Sequence, residues 1–325
     1  ATPEEVYAQI EQDLLDAIPD LPNKITKDAE WGRLTQGAAR AILGKVYLEE
    51  GKKALAAEQF AAVNGTPGEV SQYGYKLLDN FNDLWQIDNK YNTESIFEVA
   101  HTNLAETGWS NSYGDMDEGN AVNTMVGPRG FQDKDLTDSI PNYSTGWSFN
   151  PLLPELYDLL KNDPRFEATV LDLKTLSEEG KVSYAPGYQD TGYFLKKFTP
   201  TSNEESDLLG DMWLNHRQNM YIIRLADTYL LEAEALGGTG ARAQALVDAV
   251  RARVGLPSIP VNMGVVLNER RLELAGEGHR WFDLRRNGLL NARLGDRGFV
   301  SGTHEIFPIP YKELENTKLV QNPNY

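Results

Sequence analysis

The chain has 325 residues, a formal net charge of −17 and no cysteine. The negative charge argues against nucleic acid and anionic lipid as partners, because both require a cationic surface. The lack of cysteine excludes disulfides, thiolate catalysis and zinc sites built from cysteine. No stretch of about 18 apolar residues occurs, so the sequence predicts no membrane-spanning helix.

The first quarter of the chain is predicted to be helical. Thr2 is a suitable N-cap and Pro3 a suitable first residue for a helix that ends at Pro19. Residues 34–50 form the next predicted helix, which Gly51 ends as a C-cap.

This second helix and its successor fit the template of a tetratricopeptide repeat. Leu43, Gly44 and Tyr47 occupy first-helix positions, and Ala56 and Phe60 occupy second-helix positions. The small residues would let the two helices approach closely, while the aromatic rings would fill the groove between them. A helical hairpin of another kind is the alternative.

Two further helical pairs are predicted towards the C-terminus. Residues 220–236 are followed by residues 241–254, and a third pair spans residues 265–290. A single pair cannot cover its own apolar faces, so neighbouring pairs are expected to stack.

The middle of the chain is richer in glycine, asparagine, aspartate, proline and aromatic residues. A short strand is predicted at residues 96–100. Residues 152–161 form the one clearly predicted helix of this region. Long irregular segments are usually functional or disordered, and aromatic content argues against disorder. We therefore predict a mostly α protein. Tetratricopeptide-like hairpins at residues 1–99 and 217–325, with an extended C-terminal tail, form a scaffold for a loop-rich, ligand-binding region with short strands at residues 100–216.

A sugar binder needs flat aromatic rings for the C–H faces of the sugar and amides for its hydroxyls. Trp109 and Trp147 are the main candidates, because each follows a glycine in a polar loop. The further candidates in this region are Tyr113, Phe149, Tyr184, Tyr188, Asn111 and Asn150. For each aromatic residue, packing in the core is the alternative.

No cofactor is expected. The pair Asp115 and Asp117 and the group Asp133, Asp135 and Asp138 could bind a structural calcium ion, but both lack the glycine and glutamate of an EF-hand. Solvated loop acids are the alternative. The histidines show no metal-binding spacing, and no G-x-S-x-G motif occurs. We predict a non-enzyme, with a glycosidase as the remaining alternative because its paired carboxylates have no recognisable spacing.

Residues 268–286 are predicted to form two helices separated by a glycine-x-glycine break. Glu269, Glu273 and Glu277 form one row on the first helix, and like charges four residues apart repel each other. The row should therefore face cations. Arg285, on the apolar face of the second helix, is the predicted partner of Glu269 or Glu273.

This stretch resembles the C-terminal signature of the SusD/RagB family. The charged and aromatic positions of that signature are matched here by Glu269, Arg270, Glu273, Arg280, Trp281, Asp283 and Arg285. Residues 37–48, 224–235 and 307–325 also resemble family segments, so the resemblance covers about residues 31–325. We interpret the signature as a structural brace between helices.

The resemblance implies a surface-exposed outer-membrane lipoprotein of Bacteroidetes-type bacteria. Such a protein binds a nutrient, usually an oligosaccharide, and passes it to a TonB-dependent (SusC-like) transporter. Family members begin with a lipid-anchored cysteine and a substantial N-terminal region, so we expect this chain to be a fragment and its anchor to lie outside it. A peptide-binding member of the same family and a helical-repeat scaffold for protein partners are the alternatives.

Overall fold

The structure is a computed structural model that describes residues 1–104, 118–135, 139–208 and 212–325. These residues form two compact units, Ala1–Gly276 and Glu277–Tyr325. The fold is mostly α-helical, as predicted. Within the described ranges, no helix is both long enough and apolar enough to cross a membrane.

The helices and short strands are numbered in chain order. The helices of the first unit are α1 (Pro3–Ala17), α2 (Gln36–Glu49), α3 (Lys53–Asn64), α4 (Val122–Val126), α5 (Pro154–Leu160), α6 (Phe166–Thr169), α7 (Leu173–Glu178), α8 (Leu225–Ala235), α9 (Gly240–Arg253) and α10 (Met263–Glu273). Its strands are β1 (Ser95–Val99), β2 (Gln132–Asp133), β3 (Val170–Asp172), β4 (Val182–Ser183), β5 (Tyr193–Leu195) and β6 (Met220–Arg224). They pair antiparallel as β1–β6, β2–β4 and β3–β5. The second unit contains α11 (Arg280–Arg286), α12 (Leu290–Leu294) and α13 (Tyr311–Leu314).

Helix α1 begins where its sequence predicts. The Thr2 hydroxyl accepts a hydrogen bond from the Glu5 N–H at 3.2 Å, and the Glu5 carboxylate accepts one from the Thr2 N–H at 2.9 Å. This reciprocal cap satisfies two backbone donors that the first helical turn leaves unpaired.

Helices α2 and α3 pack as closely as the tetratricopeptide pattern predicts. A Cβ atom on Gly44 would lie 2.7 Å from Cε1 of Phe60, so a larger residue there would collide with the ring. Tyr47, Ala56 and Phe60 are buried in one core cluster that continues into α8. All eleven residues of α8 are buried, as expected for a helix that packs against α3, α9 and α10.

The helix predicted over residues 220–236 is wrong at its start. Met220–Arg224 form β6, and the helix itself is α8. The β-branched and aromatic side chains of Tyr221, Ile222 and Ile223 favour a strand, and β1, which is confirmed near its predicted position, needs a partner for its backbone groups.

The middle of the chain contains more regular structure than predicted. The one predicted helix is present as α5, but α4, α6 and α7 were not predicted. Each of these three has only four to six residues, too few to show a helical period. The strand pairs β2–β4 and β3–β5 also lie here, and a buried cluster that includes Phe131, Leu171 and Phe194 gives the region its own core. The division at residues 99 and 217 stays a prediction.

Two members of the predicted glutamate row on α10, Glu269 and Glu273, face cations, whereas the placement of Glu277 on the same helix is wrong because α10 ends at Glu273. Nη1 of Arg165 lies 2.7 Å from Oε1 of Glu269 and 3.0 Å from Oε2 of Glu273. Nη1 of Arg224 lies 2.6 Å from Oε1 of Glu273. Burial opposes the charge of Glu273, but Arg253, Arg224 and Arg165 outweigh it and hold the pKa of this carboxyl well below its usual value.

These contacts belong to a larger buried ion network. Its members are Glu94, Asp163, Glu269 and Glu273, with Arg165, Arg224, Arg251 and Arg253. Four carboxylates therefore meet four guanidinium groups, drawn from segments far apart in the sequence. Arg270 of the signature forms a separate pair with Asp227 at 2.8 Å. The predicted pairing of Arg285 with the glutamate row stays a prediction.

The second unit contains the rest of the signature. Trp281 packs against Phe299 and Phe307, with ring centroids 6.0 and 6.2 Å away. Asp283 is buried and accepts a hydrogen bond from Arg286 three residues later. Arg280 is the first residue of α11.

Candidate functional site

Helix α4 supports a loop that carries two aromatic residues. The Trp147 N–H donates to the Thr124 carbonyl at 2.8 Å, and the Phe149 N–H donates to the Met125 carbonyl at 2.7 Å. A Cβ atom on Gly146 would lie 2.5 Å from the Thr124 carbonyl oxygen. Only glycine allows the loop to approach α4 this closely.

The same loop adopts a conformation that is uncommon for non-glycine residues. Ser148 has φ of +58° and Asn150 has φ of +57°. The Ser148 hydroxyl accepts a hydrogen bond from the Arg129 N–H at 2.8 Å, which helps to hold this backbone. The rings of Trp147 and Phe149 lie side by side, with centroids 5.6 Å apart. Backbone strain of this kind is concentrated at binding sites.

A second loop, residues 184–190, lies beside the first. A Cβ atom on Gly187 would lie 2.7 Å from Cβ of Ser148, so the two backbones are in close contact. Gln189 also has positive φ, at +53°. Between these two residues Tyr188 is 86% exposed, which places a whole phenol ring in water next to the Trp147 loop.

Trp213 joins this arrangement, although the sequence did not single it out. Its carbonyl accepts a hydrogen bond from the Thr124 hydroxyl on α4. Its side chain is 40% exposed, and Met125 on the same helix is 37% exposed. The only signal in the sequence was that Trp213 is a tryptophan within the predicted binding region.

Five apolar side chains thus project from elements that contact one another, and we call them the aromatic surface. Its members are Met125, Trp147, Phe149, Tyr188 and Trp213. Phe149 is 49% exposed and Trp147 is half-buried. Exposed apolar groups gathered in one place are typical of a binding surface.

Beneath the aromatic surface lies a buried polar layer. The Asn123 side chain donates to the Phe198 carbonyl at 3.0 Å and to the Gln218 side chain. Asn120 donates to the Gln218 carbonyl at 2.9 Å, and the Asn120 N–H donates to the His216 carbonyl at 2.7 Å. These bonds tie α4 to the segment that follows Trp213. Burial lowers the pKa of the His216 imidazole to about 4, so it is neutral at physiological pH.

Tyr184 has a different environment from Tyr188. It is half-buried, its ring meets Phe194 edge-on at 5.5 Å, and its hydroxyl donates to Asp190 at 3.0 Å. Burial and the Asp190 carboxylate raise the pKa of Tyr184 to about 12. This placement favours a supporting role under the loop. Asn150 is exposed at the end of the Trp147 loop.

Several predicted residues lie outside the described part of the chain. These are Trp109, Asn111 and Tyr113, and the possible calcium ligands Asp115, Asp117 and Asp138. Among the residues that the structure does describe, no group of three histidine or carboxylate side chains could hold a metal ion. The binding roles of the first three residues stay predictions.

Comparisons with known sequences agree with the signature on α10 and α11. The SusD family model matches residues 93–325. SusD-like protein P2 of Formosa agariphila is 27% identical over the whole chain, which covers 66% of that protein. A SusD-like protein of Bacteroides ovatus is 26% identical over 86% of the chain, which covers 50% of it. The chain therefore spans between half and two thirds of the length of these curated relatives.

Comparisons with solved structures give the same fold. A laminarin-binding SusD-like protein superimposes with a TM-score of 0.95 at 60% identity, covering 100% of this chain and 70% of that one. Surface glycan-binding protein A of Bacteroides thetaiotaomicron, in complex with laminarihexaose, gives a TM-score of 0.85 at 27% identity, covering 98% and 70% of the two chains. Both neighbours are named for binding glycans. Since the family model alone accounts for well over half of the sequence, the chain belongs to the SusD family.

Proposed function

We propose that this protein binds an oligosaccharide at the aromatic surface and does not cleave it. The observation that carries the proposal is the exposure of Phe149, Tyr188 and Trp213 on loops that hydrogen bonds and close glycine contacts hold against α4. Flat rings of this kind match the C–H faces of sugars. A preorganised surface also binds with a smaller loss of conformational entropy than a flexible one.

A laminarin-type glucan is the ligand class that we propose first. The support comes from the neighbours: one, at 60% identity, is named for laminarin binding, and another was solved with laminarihexaose. Successive sugar rings of such a chain could cover the separate rings of the aromatic surface.

We also propose that the full-length protein is lipid-anchored at the cell surface, on the outer membrane. There it would hand its oligosaccharide to a TonB-dependent transporter. Membership of the SusD family and likeness to proteins named as surface glycan-binding proteins support this proposal.

The proposal is tested by titrating laminarihexaose into the chain and into Trp147→Ala. Loss of the indole should weaken binding by about tenfold or more, because buried aromatic contacts dominate binding energies. The melting temperature should not change. Tyr311→Ala is the control, since Tyr311 is an exposed aromatic residue that belongs neither to the aromatic surface nor to its supporting loops.

Two outcomes would contradict the proposal. The first is unchanged affinity of Trp147→Ala together with a lower melting temperature, which would assign Trp147 to the core. The second is a chain that ignores laminarihexaose and other glycans on an array but binds members of a peptide library. That result would favour the peptide-binding alternative.

A further inference from the structure

The first unit contains a cavity whose lining residues are separate from the aromatic surface. Its volume is about 360 Å³, near the lower end of the range of about 300–1,000 Å³ for small-molecule sites. It lies between residues 23–35 and β1, and its aromatic lining consists of Trp31, Tyr73, Tyr75, Tyr91 and Phe97. A cavity of this size and lining suits a ligand of one or two rings.

Trp31 and Tyr91 form one wall of the cavity. Their ring centroids are 5.1 Å apart, and the rings meet nearly edge-on. Nε1 of Trp31 donates to the Asp28 carboxylate at 3.1 Å, which fixes the orientation of the indole. The indole is nevertheless 44% exposed. Its orientation is therefore set before any ligand arrives.

The backbone of Tyr91 is strained in a way that holds its ring in the wall. Its φ is +51°, a conformation that is unfavourable for a bulky side chain. The Tyr91 N–H donates to the Glu98 carboxylate. A Cβ atom on Gly32 would lie 3.3 Å from the Tyr91 hydroxyl, so the lack of a side chain at Gly32 leaves room for this hydroxyl. Strain of this kind persists at ligand sites because the surroundings enforce it.

Three charged residues belong to the described lining of the cavity, and two of them, Lys24 and Arg33, are cationic. Lys24 and Arg33 line it and are exposed, and neither forms an ion pair or side-chain hydrogen bond with any described residue. Glu98 is the only acidic residue among the described lining residues; it is buried, and it already accepts hydrogen bonds from Tyr91 and Asn219. Burial raises the pKa of Glu98.

We propose that this cavity binds a single sugar ring that carries a carboxylate, a hexuronate. The sugar ring would stack on the indole of Trp31, which Tyr91 meets nearly edge-on, and its carboxylate would face Lys24 and Arg33. The exposed amide of Asn23 is placed to meet the sugar hydroxyls. A neutral sugar would leave both cations unpaired, and an aliphatic acid would not stack on the indole. This site is independent of the aromatic surface.

The test compares two ligands that differ only at C6, methyl β-D-glucuronide and methyl β-D-glucoside. Binding to the 325-residue chain is followed by saturation-transfer NMR and calorimetry. The glucuronide should bind about tenfold more tightly than the glucoside, because charge-assisted hydrogen bonds are the stronger ones. Added salt should weaken glucuronide binding, since the two cations are exposed.

Two variants locate the site. Trp31→Ala should weaken binding of both glycosides. The double variant Lys24→Gln/Arg33→Gln should lower glucuronide affinity to that of the glucoside. Tyr311→Ala, an exposed aromatic substitution outside both the cavity lining and the aromatic surface, should leave both affinities unchanged. All of the substituted side chains on the cavity are exposed, and melting curves verify that these variants fold.

The proposal is overturned if the chain binds the two glycosides equally or binds neither. It is also overturned if glucuronide binding survives both cavity variants. Neither result would bear on laminarihexaose binding at the aromatic surface.

Discussion

The buried ion network around α10 and the aromatic surface beside α4 belong to the same unit but differ in what they expose: the network buries charged groups, and the surface exposes apolar rings. In the network, charged groups lie in the interior and each carboxylate meets at least one guanidinium group. At the surface, apolar rings lie in water, and Ser148, Asn150 and Gln189 hold left-handed backbone conformations beside them. The charged side chains of the network pair with one another, whereas the rings of the aromatic surface are exposed and can contact a ligand.

This difference separates stability from binding. Substitutions in the network should change the free energy of unfolding, because a buried charge that loses its partner cannot be solvated. Substitutions on the aromatic surface should change affinity, because the rings contribute little to the core.

Glu273→Ala should have the largest effect. It leaves Arg165 and Arg224 without one of their buried carboxylate partners, so we expect a loss of about 3–5 kcal/mol in urea unfolding. Glu58→Ala is the matched control, since Glu58 is exposed on α3, and it should stay within about 0.5 kcal/mol of the parent. Equal losses of stability in the two variants would show that the ion network does not stabilise the fold.

His216 should make the polar layer under the aromatic surface sensitive to acid. Burial lowers its pKa from 6.5 to about 4, so the unfolded chain takes up this proton first as the pH falls. The free energy of unfolding therefore has its full value above about pH 6.5 and falls by about 3 kcal/mol as the pH approaches 4. His216→Gln should lack this part of the pH dependence. Identical pH profiles for the parent and His216→Gln would contradict the prediction.

Gly44→Ala should destabilise the chain by about 1–3 kcal/mol through overpacking. The added methyl group would lie 2.7 Å from the Phe60 ring. Replacing the ring with a smaller side chain in Gly44→Ala/Phe60→Leu should recover part of the lost stability, because the two sites are in contact. Additive losses in the double variant would show that the two residues do not interact as described.

Local signals in the sequence were sufficient for the N-terminal helices. The Thr2 cap and the Gly44–Phe60 contact depend on residues close together in the chain, so both could be predicted from spacing alone. The need of the α10 glutamates for cations followed from the same kind of reasoning.

Non-local partners could not be predicted in this way. Arg165 lies 104 residues from Glu269, and β6 is a strand because β1 pairs with it across the length of the middle region. Trp213 joins the site through Thr124, 89 residues away. Helices such as α6, with four residues, are too short to show a period.

The most direct test uses two tyrosines four residues apart in one loop. Tyr188 is 86% exposed, whereas Tyr184 packs on Phe194 and bonds to Asp190. Affinity for laminarihexaose and melting temperature are measured for Tyr188→Ala and Tyr184→Ala. We expect Tyr188→Ala to weaken binding by about tenfold with an unchanged melting temperature, and Tyr184→Ala to lower the melting temperature. A Tyr188→Ala variant that binds like the parent, or that melts earlier than Tyr184→Ala, would contradict this expectation.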